Sequence, residues 1–476
     1  MKNLILLLFP LFLLLSCGKD LETVTVRSDP SEMFNQADSV FAETDTTDED
    51  DFVHIKLGEI SAIESLDPLF ASSNSEWRII SLIYDGLVEL GKDGKPATKL
   101  AKRWEVNSDS TQFTFHLKTT VHFHNSPVFE SGNGRRFTAR DVRFAFERMA
   151  SDKVPDFAAR KFMDIRGFSA YHHEQNYVKD PAKRVLESIE GIRVRNDSTI
   201  TFHLNKKAGD FLQRLAHPMA SIYARESVQA NGKPITQAAG TGSFRFIRKE
   251  GNTHLLTSLT NSKNGVSRIN RLDIISGLAE KDLFQEFARN NLDALLELGP
   301  ATLISVADST GKLLEHFYKT YRLRRAQAET SYSIYYNTNS GQHRQVNEFI
   351  SNLNEANLLE NSALGSISTN RVDTISTQNN EKRQLVITHT EHPFHLFLLN
   401  RIASDATKND FSFSMNGSYA IWNEIALSLY PYTESREFLQ WTTPVYILQH
   451  HSISGIEINH QPWNLDLSGI KKSRGK

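Results

Sequence analysis

Four pairs of closely spaced histidines are the first candidates for chemistry, because neutral imidazole is a common metal ligand. The pairs are His122 with His124, His172 with His173, His392 with His395, and His450 with His451. A zinc site needs three or four ligands at a characteristic spacing, as in the His-Glu-x-x-His helix. No pair has a carboxylate or a third histidine at such a spacing, so we predict no metal site.

Motifs for phosphate binding and nucleophilic catalysis are incomplete as well. Gly86 to Lys92 has the spacing of a phosphate-binding loop, but Asp93 stands where such a loop needs a hydroxyl group for magnesium. There is no Gly-x-Ser-x-Gly motif, and the body of the chain has no cysteine. Basic residues are scattered rather than interleaved with aromatic residues in one run. We therefore expect no catalytic residues, no cofactor and no nucleic-acid partner.

The single cysteine, Cys17, lies in a setting typical of lipid attachment. Residues 4–15 are almost wholly apolar, but a spanning helix needs about 20 residues, so the run is typical of a signal peptide. The sequence Leu-Leu-Ser-Cys-Gly that ends it resembles the lipobox of bacterial lipoproteins. The resemblance implies a signal peptide over residues 1–16 and a palmitate-bearing Cys17, while a structural or free thiol is the alternative.

The residues behind Cys17 are strongly acidic. Residues 18–51 contain eleven acidic and two basic side chains, a net charge of −9, and removing these residues and Lys2 from the total of −2 leaves +6 for residues 52–476. Few bulky apolar residues and a high net charge predict that residues 17–51 form a disordered tether. The alternative is a mobile N-terminal segment that has no function of its own.

Behind this segment, strand and helix patterns mix. Residues 76–87 and 281–296 carry apolar residues at helical spacing, and Thr138 with Asp141 forms a variant of the capping box. Strands are predicted at residues 243–247, 271–276, 385–389, 426–430 and 445–448, and a helix at residues 346–359. The mixture predicts an α/β protein.

Two stretches share nearly one sequence: residues 109–117 read DSTQFTFHL and residues 197–204 read DSTITFHL. In each, Phe and Leu fall on one face of a strand while Thr and His fall on the other. We predict two half-buried strands, each preceded by a polar turn.

Short motifs also occur in a characteristic order. They are Ser-Leu-Asp-Pro at 65–68, Leu-Ile-Tyr-Asp-Gly-Leu at 82–87, Trp-Glu-Val at 104–106, Val-His-Phe-His-Asn at 121–125, Phe-Thr-Ala-Arg-Asp-Val at 137–142 and Gly-Thr-Gly-Ser-Phe at 240–244. This order resembles the extracellular solute-binding proteins of family 5, the oligopeptide- and dipeptide-binding proteins of ABC importers. In that family a histidine stands at the position of His124. The resemblance therefore implies that His124 belongs to the family's turn motif and is not a metal ligand.

The resemblance implies a two-lobed α/β periplasmic-binding-protein fold of class II, cluster C type, with a ligand enclosed between the lobes. Lobe I is expected near residues 52–90, 190–276 and 441–476. An extra subdomain of lobe I is expected near residues 91–189, and lobe II near residues 277–440. The family is non-enzymatic, so the resemblance implies a binding protein.

Ligand contacts are carried over from the family residue by residue. The loop after the Leu-Asp-Pro turn contributes contacts there, which indicates Ser72, Ser73 and Asn74 here. Capping of the following helix is an equally good use of the two serines.

The second lobe supplies four further candidates: Trp422, Leu429, Tyr430 and Tyr432. The three aromatic residues serve either as ligand contacts or as core. Leu429 stands where peptide-binding members carry the aspartate that pairs with the α-ammonium group of the ligand. Burying an ammonium group without a counter-charge costs several kcal/mol, so the usual clamp for a free peptide amine is absent in this alignment.

Together these features predict a monomeric, lipid-anchored solute-binding protein of an ABC importer. Its partners are a small solute, peptide-like or of another kind, the permease subunits and the membrane that holds the anchor. It lies in the cell envelope and faces the periplasm or the exterior. The alternative is an envelope or surface interaction protein that kept the fold but lost transport.

Overall fold

The structure is a computed structural model that describes residues 21–22, 53–229, 232–259, 269–337, 359, 362–369, 383–388, 392–407, 411–416, 425–428 and 435–473. Among these residues no helix is both long and apolar enough to cross a membrane.

Most strands are short, but two of them contain 17 and 16 residues, Tyr321–Asn337 and Ser435–His450. In chain order they are β1 (Leu21–Glu22), β2 (Val53–Gly58), β3 (Val88–Leu90), β4 (Pro96–Thr98), β5 (Ala101–Asn107), β6 (Gln112–Leu117), β7 (Ile192–Asn196), β8 (Thr199–His203), β9 (Phe244–Glu250), β10 (Thr253–Ser258), β11 (Ile269–Ile275), β12 (Ala294–Leu295), β13 (Tyr321–Asn337), β14 (Ser366–Thr369), β15 (Arg383–Thr388), β16 (Phe411–Asn416), β17 (Ile425–Ser428), β18 (Ser435–His450), β19 (Ile453–Ser454), β20 (Glu457–Ile458), β21 (Leu465–Asp466) and β22 (Lys471–Lys472).

The described α-helices are α1 (Asn74–Ile83), α2 (Ala139–Met149), α3 (Phe157–Arg160), α4 (Phe168–Tyr177), α5 (Phe211–Leu215), α6 (Glu280–Ala288), α7 (Pro300–Val306) and α8 (Pro393–Thr407). Short 3-10 turns lie at Pro181–Lys183, Pro218–Ala220, Arg225–Ser227, Glu315–Phe317 and Ser362–Leu364.

A five-stranded sheet has the order β1-β5-β6-β8-β7. The two similar stretches are its neighbours β6 and β8, which pair antiparallel with Phe113 opposite Phe202 and Thr114 opposite Thr201. The predicted half-buried strands are confirmed for the apolar face. The two threonines, however, are also buried and share a hydrogen bond of 3.1 Å, because neighbouring strands bring them side by side. The sheet continues to His203, past the subdomain boundary predicted at residue 189, and the division into lobes stays a prediction.

A larger sheet of eleven strands runs in the order β16-β15-β17-β13-β18-β12-β2-β11-β10-β9, with β14 paired to β18. Its centre is the antiparallel pair of long strands, β13 and β18. At its C-terminal end β18 pairs with β12, and β12 pairs with β2. Towards its N-terminal end β18 pairs with β14, while the C-terminal end of β13 pairs with β17. The long pair therefore crosses from one half of the molecule to the other.

The crossing pair is interrupted in the middle. Arg325 lies opposite Tyr446 and Glu329 opposite Pro444, so residues 326–328 face Val445 alone. Pro444 lies at the border of this break, and proline has no N–H group to donate to the ladder. We call this break the hinge.

Buried apolar side chains form two clusters, and the smaller one reaches across the hinge, since it contains Tyr321 and Tyr446 as well as Tyr332 and Trp441. The larger contains Ile55, Ile79, Phe115 and Phe202, and the smaller contains Leu298, Tyr332, Leu398 and Trp441. Two cores joined by two crossing strands make the predicted two-lobed α/β fold.

Two local predictions have different outcomes. Thr138 and Asp141 form the predicted capping box at the start of α2. The helix predicted over residues 281–296 is wrong in length, since α6 ends at Ala288. Asn290 adopts a left-handed conformation with φ of 61°, which stops the helix, and residues 294–295 become β12 instead. The helix predicted at residues 346–359 lies almost wholly outside the described residues.

Candidate functional site

The predicted contact loop, Ser72 to Asn74, forms the start of α1 next to the hinge. Ser73 is the N-cap: its hydroxyl accepts a hydrogen bond from the Glu76 N–H at 3.2 Å, and the Glu76 carboxylate accepts one from the Ser73 N–H at 3.2 Å. The Ser72 N–H also donates to Glu76, at 2.8 Å. Ser73 therefore has the capping use foreseen as the alternative, whereas Ser72 only donates to Glu76. A ligand contact by either serine stays a prediction.

Glu76 organises this loop beyond the helix end. Its carboxylate also accepts hydrogen bonds from the N–H groups of Glu64 and Ser65, at 3.2 and 3.0 Å. Burial raises the pKa of Glu76, and the backbone donors oppose that rise. The predicted contact loop is thus held in one shape by a single carboxylate.

Asn74 links the two halves of the molecule. Its side-chain amide donates to the hydroxyl of Thr330 at 3.1 Å. Thr330 lies on β13 just beyond the hinge and is buried. This contact is between α1 and the far half of the crossing strand.

A buried ion cluster lies one helical turn further along α1. Its centre is the fully buried Arg78, whose Nε and Nη2 donate to the two carboxylate oxygens of Glu59 at 2.7 and 2.6 Å. Nη2 also donates to Glu297 at 2.8 Å, and Nη1 donates to the Pro462 carbonyl at 2.8 Å. The neighbouring carboxylates hold the pKa of Arg78 above its usual range although burial opposes this. We call Glu59, Arg78 and Glu297 the ion cluster.

The ion cluster is asymmetric in charge, since two carboxylates share one guanidinium group. Further donors stabilise the excess negative charge: the Ser75 hydroxyl donates to Glu59 at 2.8 Å, and the Tyr332 hydroxyl donates to Glu297 at 3.4 Å. Buried carboxylates need such partners, because an unpaired buried charge is costly. Glu297 belongs to predicted lobe II, whereas Glu59 and Arg78 belong to predicted lobe I, so the cluster also connects the two predicted lobes.

An aromatic wall of Tyr332, His392, Phe394 and Trp441 backs the cluster. The Tyr332 ring stacks on Phe394 with a centroid distance of 5.0 Å and lies 5.4 Å from His392. The indole N–H of Trp441 donates to the Leu364 carbonyl at 2.7 Å. Burial, and then the charge of Arg78, lower the pKa of His392 to about 4. The wall is neutral and apolar, which suits it to contact with an organic solute or to packing between lobes.

The other predicted site residues, Trp422, Leu429, Tyr430, Tyr432 and the lipidation residue Cys17, lie outside the described residues. The strand before Leu429, β17, ends at Ser428, which pairs with Ser333 of β13.

The sequence contained one signal for the ion cluster that the prediction missed. Arg78 stands in the otherwise apolar run Trp-Arg-Ile-Ile of a predicted helix. A cation on a buried helix face requires a carboxylate partner. The partners Glu59 and Glu297 are 19 and 219 residues away, and only the fold reveals them.

Among the described residues no three His, Cys, Asp or Glu side chains are grouped as metal ligands. The candidate histidines have other contacts instead. His124 shares a hydrogen bond of 2.8 Å with the Gly242 carbonyl, and His450 shares one of 3.0 Å with the Phe287 carbonyl. His173 stacks on Tyr177.

Known proteins resemble part of this chain in sequence. The family model for bacterial extracellular solute-binding proteins, family 5 middle, matches residues 95–355, more than half of the chain. The haem-binding protein A of Haemophilus influenzae is 33% identical over 176 residues, which are 35% of this chain and 29% of that protein. The di/tripeptide-binding protein 4 of Pseudomonas aeruginosa is 32% identical over 155 residues, 31% of this chain and 26% of that protein. Each match spans less than a third of the relative's length.

Solved structures resemble the fold over most of the chain. The murein tripeptide binding protein MppA of Escherichia coli superimposes with a TM-score of 0.66 at 13% identity, covering 89% of this chain and 99% of that one. With the family match, the two cores and the crossing strands, the conclusion is that this chain belongs to the bacterial extracellular solute-binding proteins of family 5.

Proposed function

We propose that this chain is the solute-binding lipoprotein of an ABC importer, which encloses a small solute between its lobes and delivers it to a permease. The observation that carries the proposal is the hinge in β13 and β18, with interlobe contacts on one side of it. Two strands with a break in their pairing allow the lobes to rotate as rigid bodies. The chain works by binding and release, without a catalytic step.

We expect closure to depend on contacts between the lobes. Asn74 and Thr330, which belong to predicted lobes I and II, share such a contact. Opening the lobes exchanges this hydrogen bond for bonds to water, at a net cost of about 1 kcal/mol. A bound solute adds its own contacts to both lobes and so shifts the equilibrium toward closure.

The proposed solute is peptide-like or another small envelope compound. The relatives named above are a haem-binding protein, a di/tripeptide-binding protein and a murein tripeptide binding protein. Leu429, at the position of the amine-binding aspartate, disfavours peptides with a free α-ammonium group in this alignment. A modified or murein-type peptide fits better.

The proposed anchor is a lipid, with palmitate among its chains, on Cys17 behind the signal peptide of residues 1–16. The monomeric body faces the periplasm or the exterior. Replacement Cys17→Ala is expected to move the protein from the membrane fraction to the soluble fraction without changing its thermal stability. Attachment that persists in this variant contradicts the anchor.

The alternative is an envelope interaction protein that kept the fold and lost transport. The observation in its favour is that the interlobe contacts are made by the chain's own side chains. If these contacts stabilise the closed arrangement, the lobes can stay closed without a bound solute.

Thermal unfolding with a panel of solutes separates the two functions. The panel contains free and N-acetylated di- and tripeptides, murein tripeptide and haem. A solute at 100 times its dissociation constant stabilises the folded state by about 2.7 kcal/mol, which is a readily measured rise in melting temperature. A rise with one class of solute supports binding, whereas a flat response across the panel supports the alternative.

A further inference from the structure

One edge of the five-stranded sheet carries an excess of positive charge, which the solute-binding function does not use. Five exposed cations lie on β7 and on the segments that meet it: Arg166, Arg193, Arg195, Lys206 and Lys207. The nearest carboxylate, Glu190, is 3.9 Å from Arg193. Among the described residues, Arg166 and Arg195 have no carboxylate partner. We call these five residues the basic edge.

Three arginines of the basic edge lie near one histidine. The backbone N–H of Arg166 donates to the His203 carbonyl at 2.8 Å. Burial and then the charges of Arg193, Arg166 and Arg195 lower the pKa of His203. The charges of the three arginines therefore act on one part of the sheet.

Exposed apolar side chains lie at the far end of α4 from this edge. Val185 is 81% exposed, Tyr177 70% and Leu186 38%. The helix begins at Phe168, two residues after Arg166 of the basic edge, and its ten residues span about 15 Å. We call Tyr177, Val185 and Leu186 the apolar corner.

The apolar corner is held in place rather than loosely displayed. The Glu174 carboxylate accepts hydrogen bonds from the N–H groups of Val185 and Leu186, at 2.8 and 2.9 Å. Arg184 donates to the Gln175 side chain at 2.7 Å and to its carbonyl at 2.9 Å. Apolar side chains fixed in an exposed position are typical of a surface that meets another apolar phase.

The proposed anchor lies close to the same sheet. Leu21 and Glu22 lie inside the segment predicted to be a disordered tether, but they form the strand β1 and pair with Asn107 and Val106 of β5. Cys17 is four residues before Leu21, a reach of at most about 14 Å. The strands β5, β6, β8 and β7 are successive neighbours, so the basic edge is about 15 Å from β5. With the further spacing of about 5 Å between β1 and β5, a lipid on Cys17 keeps the basic edge within about 35 Å of the membrane.

We propose that the basic edge and the apolar corner dock on the anionic surface of the membrane that holds the anchor. Basic side chains are attracted to anionic headgroups, and the apolar corner enters the headgroup boundary. The inference rests on the proposed lipid at Cys17, which supplies the proximity. Docking fixes the extra subdomain against the membrane and so orients the two lobes relative to it.

A fluorescent label on Val185 tests the docking. The lipid-bearing full chain with Val185→Cys carries its free thiol at that position alone, since lipid occupies Cys17. The labelled chain is placed in vesicles of phosphatidylglycerol and phosphatidylcholine that contain nitroxide lipids, and in vesicles of phosphatidylcholine alone. The matched control is a label at Ile304→Cys on α7, a residue that is 41% exposed.

In anionic vesicles the proposal predicts that nitroxide lipids quench the fluorescence of the label at residue 185 and hardly quench that of the label at residue 304. In neutral vesicles the two labels should be quenched equally little. The double variant Arg193→Gln, Arg195→Gln should have a lower ratio of docked to undocked protein. Each arginine that is removed lowers this ratio by about fivefold. The exposed pair Arg225→Gln with Arg248→Gln is the control and leaves the ratio unchanged.

The outcomes separate the docking from the anchor. A wild-type chain that does not sediment with vesicles contradicts the lipid and the docking together. A chain that sediments but shows equal quenching at residues 185 and 304 contradicts the docking alone. Shielding of residue 185 in whole envelopes but not in lipid vesicles indicates a protein partner and also overturns the proposal.

Discussion

Asn74 and Thr330 are 256 residues apart in sequence, yet the side-chain amide of one donates to the hydroxyl of the other at 3.1 Å. Asn74 begins α1, and Thr330 follows the hinge in β13. Because the contact spans the hinge, we expect it to form when the lobes close and to break when they open. It is a direct probe of the proposed motion.

Removing this contact should weaken solute binding rather than the fold. Asn74→Ala is expected to lower solute affinity about fivefold, because one neutral hydrogen bond of about 1 kcal/mol is lost from the closed state. Ser331→Ala is the matched control, since Ser331 bonds to Thr442 on the neighbouring strand and not across the lobes. Titration calorimetry measures both, and equal affinities in the two variants would contradict the closure role.

The ion cluster should be essential for stability. Arg78→Met leaves the buried Glu59 and Glu297 without their shared cation, and breaking a buried pair costs about 3–5 kcal/mol. Arg103→Met removes the half-exposed partner of Glu105 and should cost about 1 kcal/mol at most. Urea unfolding compares the two, and a similar loss in both would show that the cluster is not a central element of the fold.

Stability should fall as pH falls from about 6.5 to about 4. Burial lowers the pKa of His124 to about 4 in the folded chain, against 6.5 for a free histidine. In this range the unfolded state binds more protons than the folded state, so the free energy of unfolding rises with pH and is lost on acidification. For His124 alone the full loss is about 3 kcal/mol.

His124→Gln tests this assignment. The variant lacks the titrating imidazole, so its free energy of unfolding should fall less than that of the wild type between pH 6.5 and 4. The difference should equal the uptake of about one proton on unfolding. His122→Gln is the control, because His122 lies at the surface beside the Thr120 carbonyl. Identical pH slopes for the wild type and His124→Gln would refute the role of His124.

Residue 429 should control the choice between free and blocked peptides. Leu429→Asp restores the acid of the family pattern and should raise affinity for free-amine peptides over N-acetylated ones by about tenfold to a hundredfold. Leu429→Asn has nearly the same shape without the charge and should give a much smaller preference. If the aspartate variant shows no preference, residue 429 is not at the amine-binding position.

Local patterns predicted local structure well. The capping box at Thr138, the strand at residues 385–389 and the polar turns before β6 and β8 depend on neighbours in sequence, and the structure has them. The helix at residues 281–296 failed because Asn290 stops it, and propensity alone does not reveal a left-handed residue. Pairing of the two similar strands with each other also required the fold.

The site was predicted less completely, for a physical reason. Ser72, Ser73 and Asn74 are adjacent in sequence, and the family order indicated them. Only the fold shows that Ser73 caps α1 and that Asn74 reaches Thr330. The ion cluster depends on residues from three distant segments, and no spacing rule brings these together. Its single local sign was one arginine in an apolar helix.

Native mass spectrometry of the full chain, freshly purified from cell envelopes, tests the central claim most directly. A closed solute-binding protein should retain its occupant, so the account predicts a mass above that of the lipid-bearing chain. That excess should disappear on unfolding and identify a small solute. A spectrum that contains only the mass of the lipid-bearing chain, in preparations whose lobes are closed, would contradict solute binding as the function.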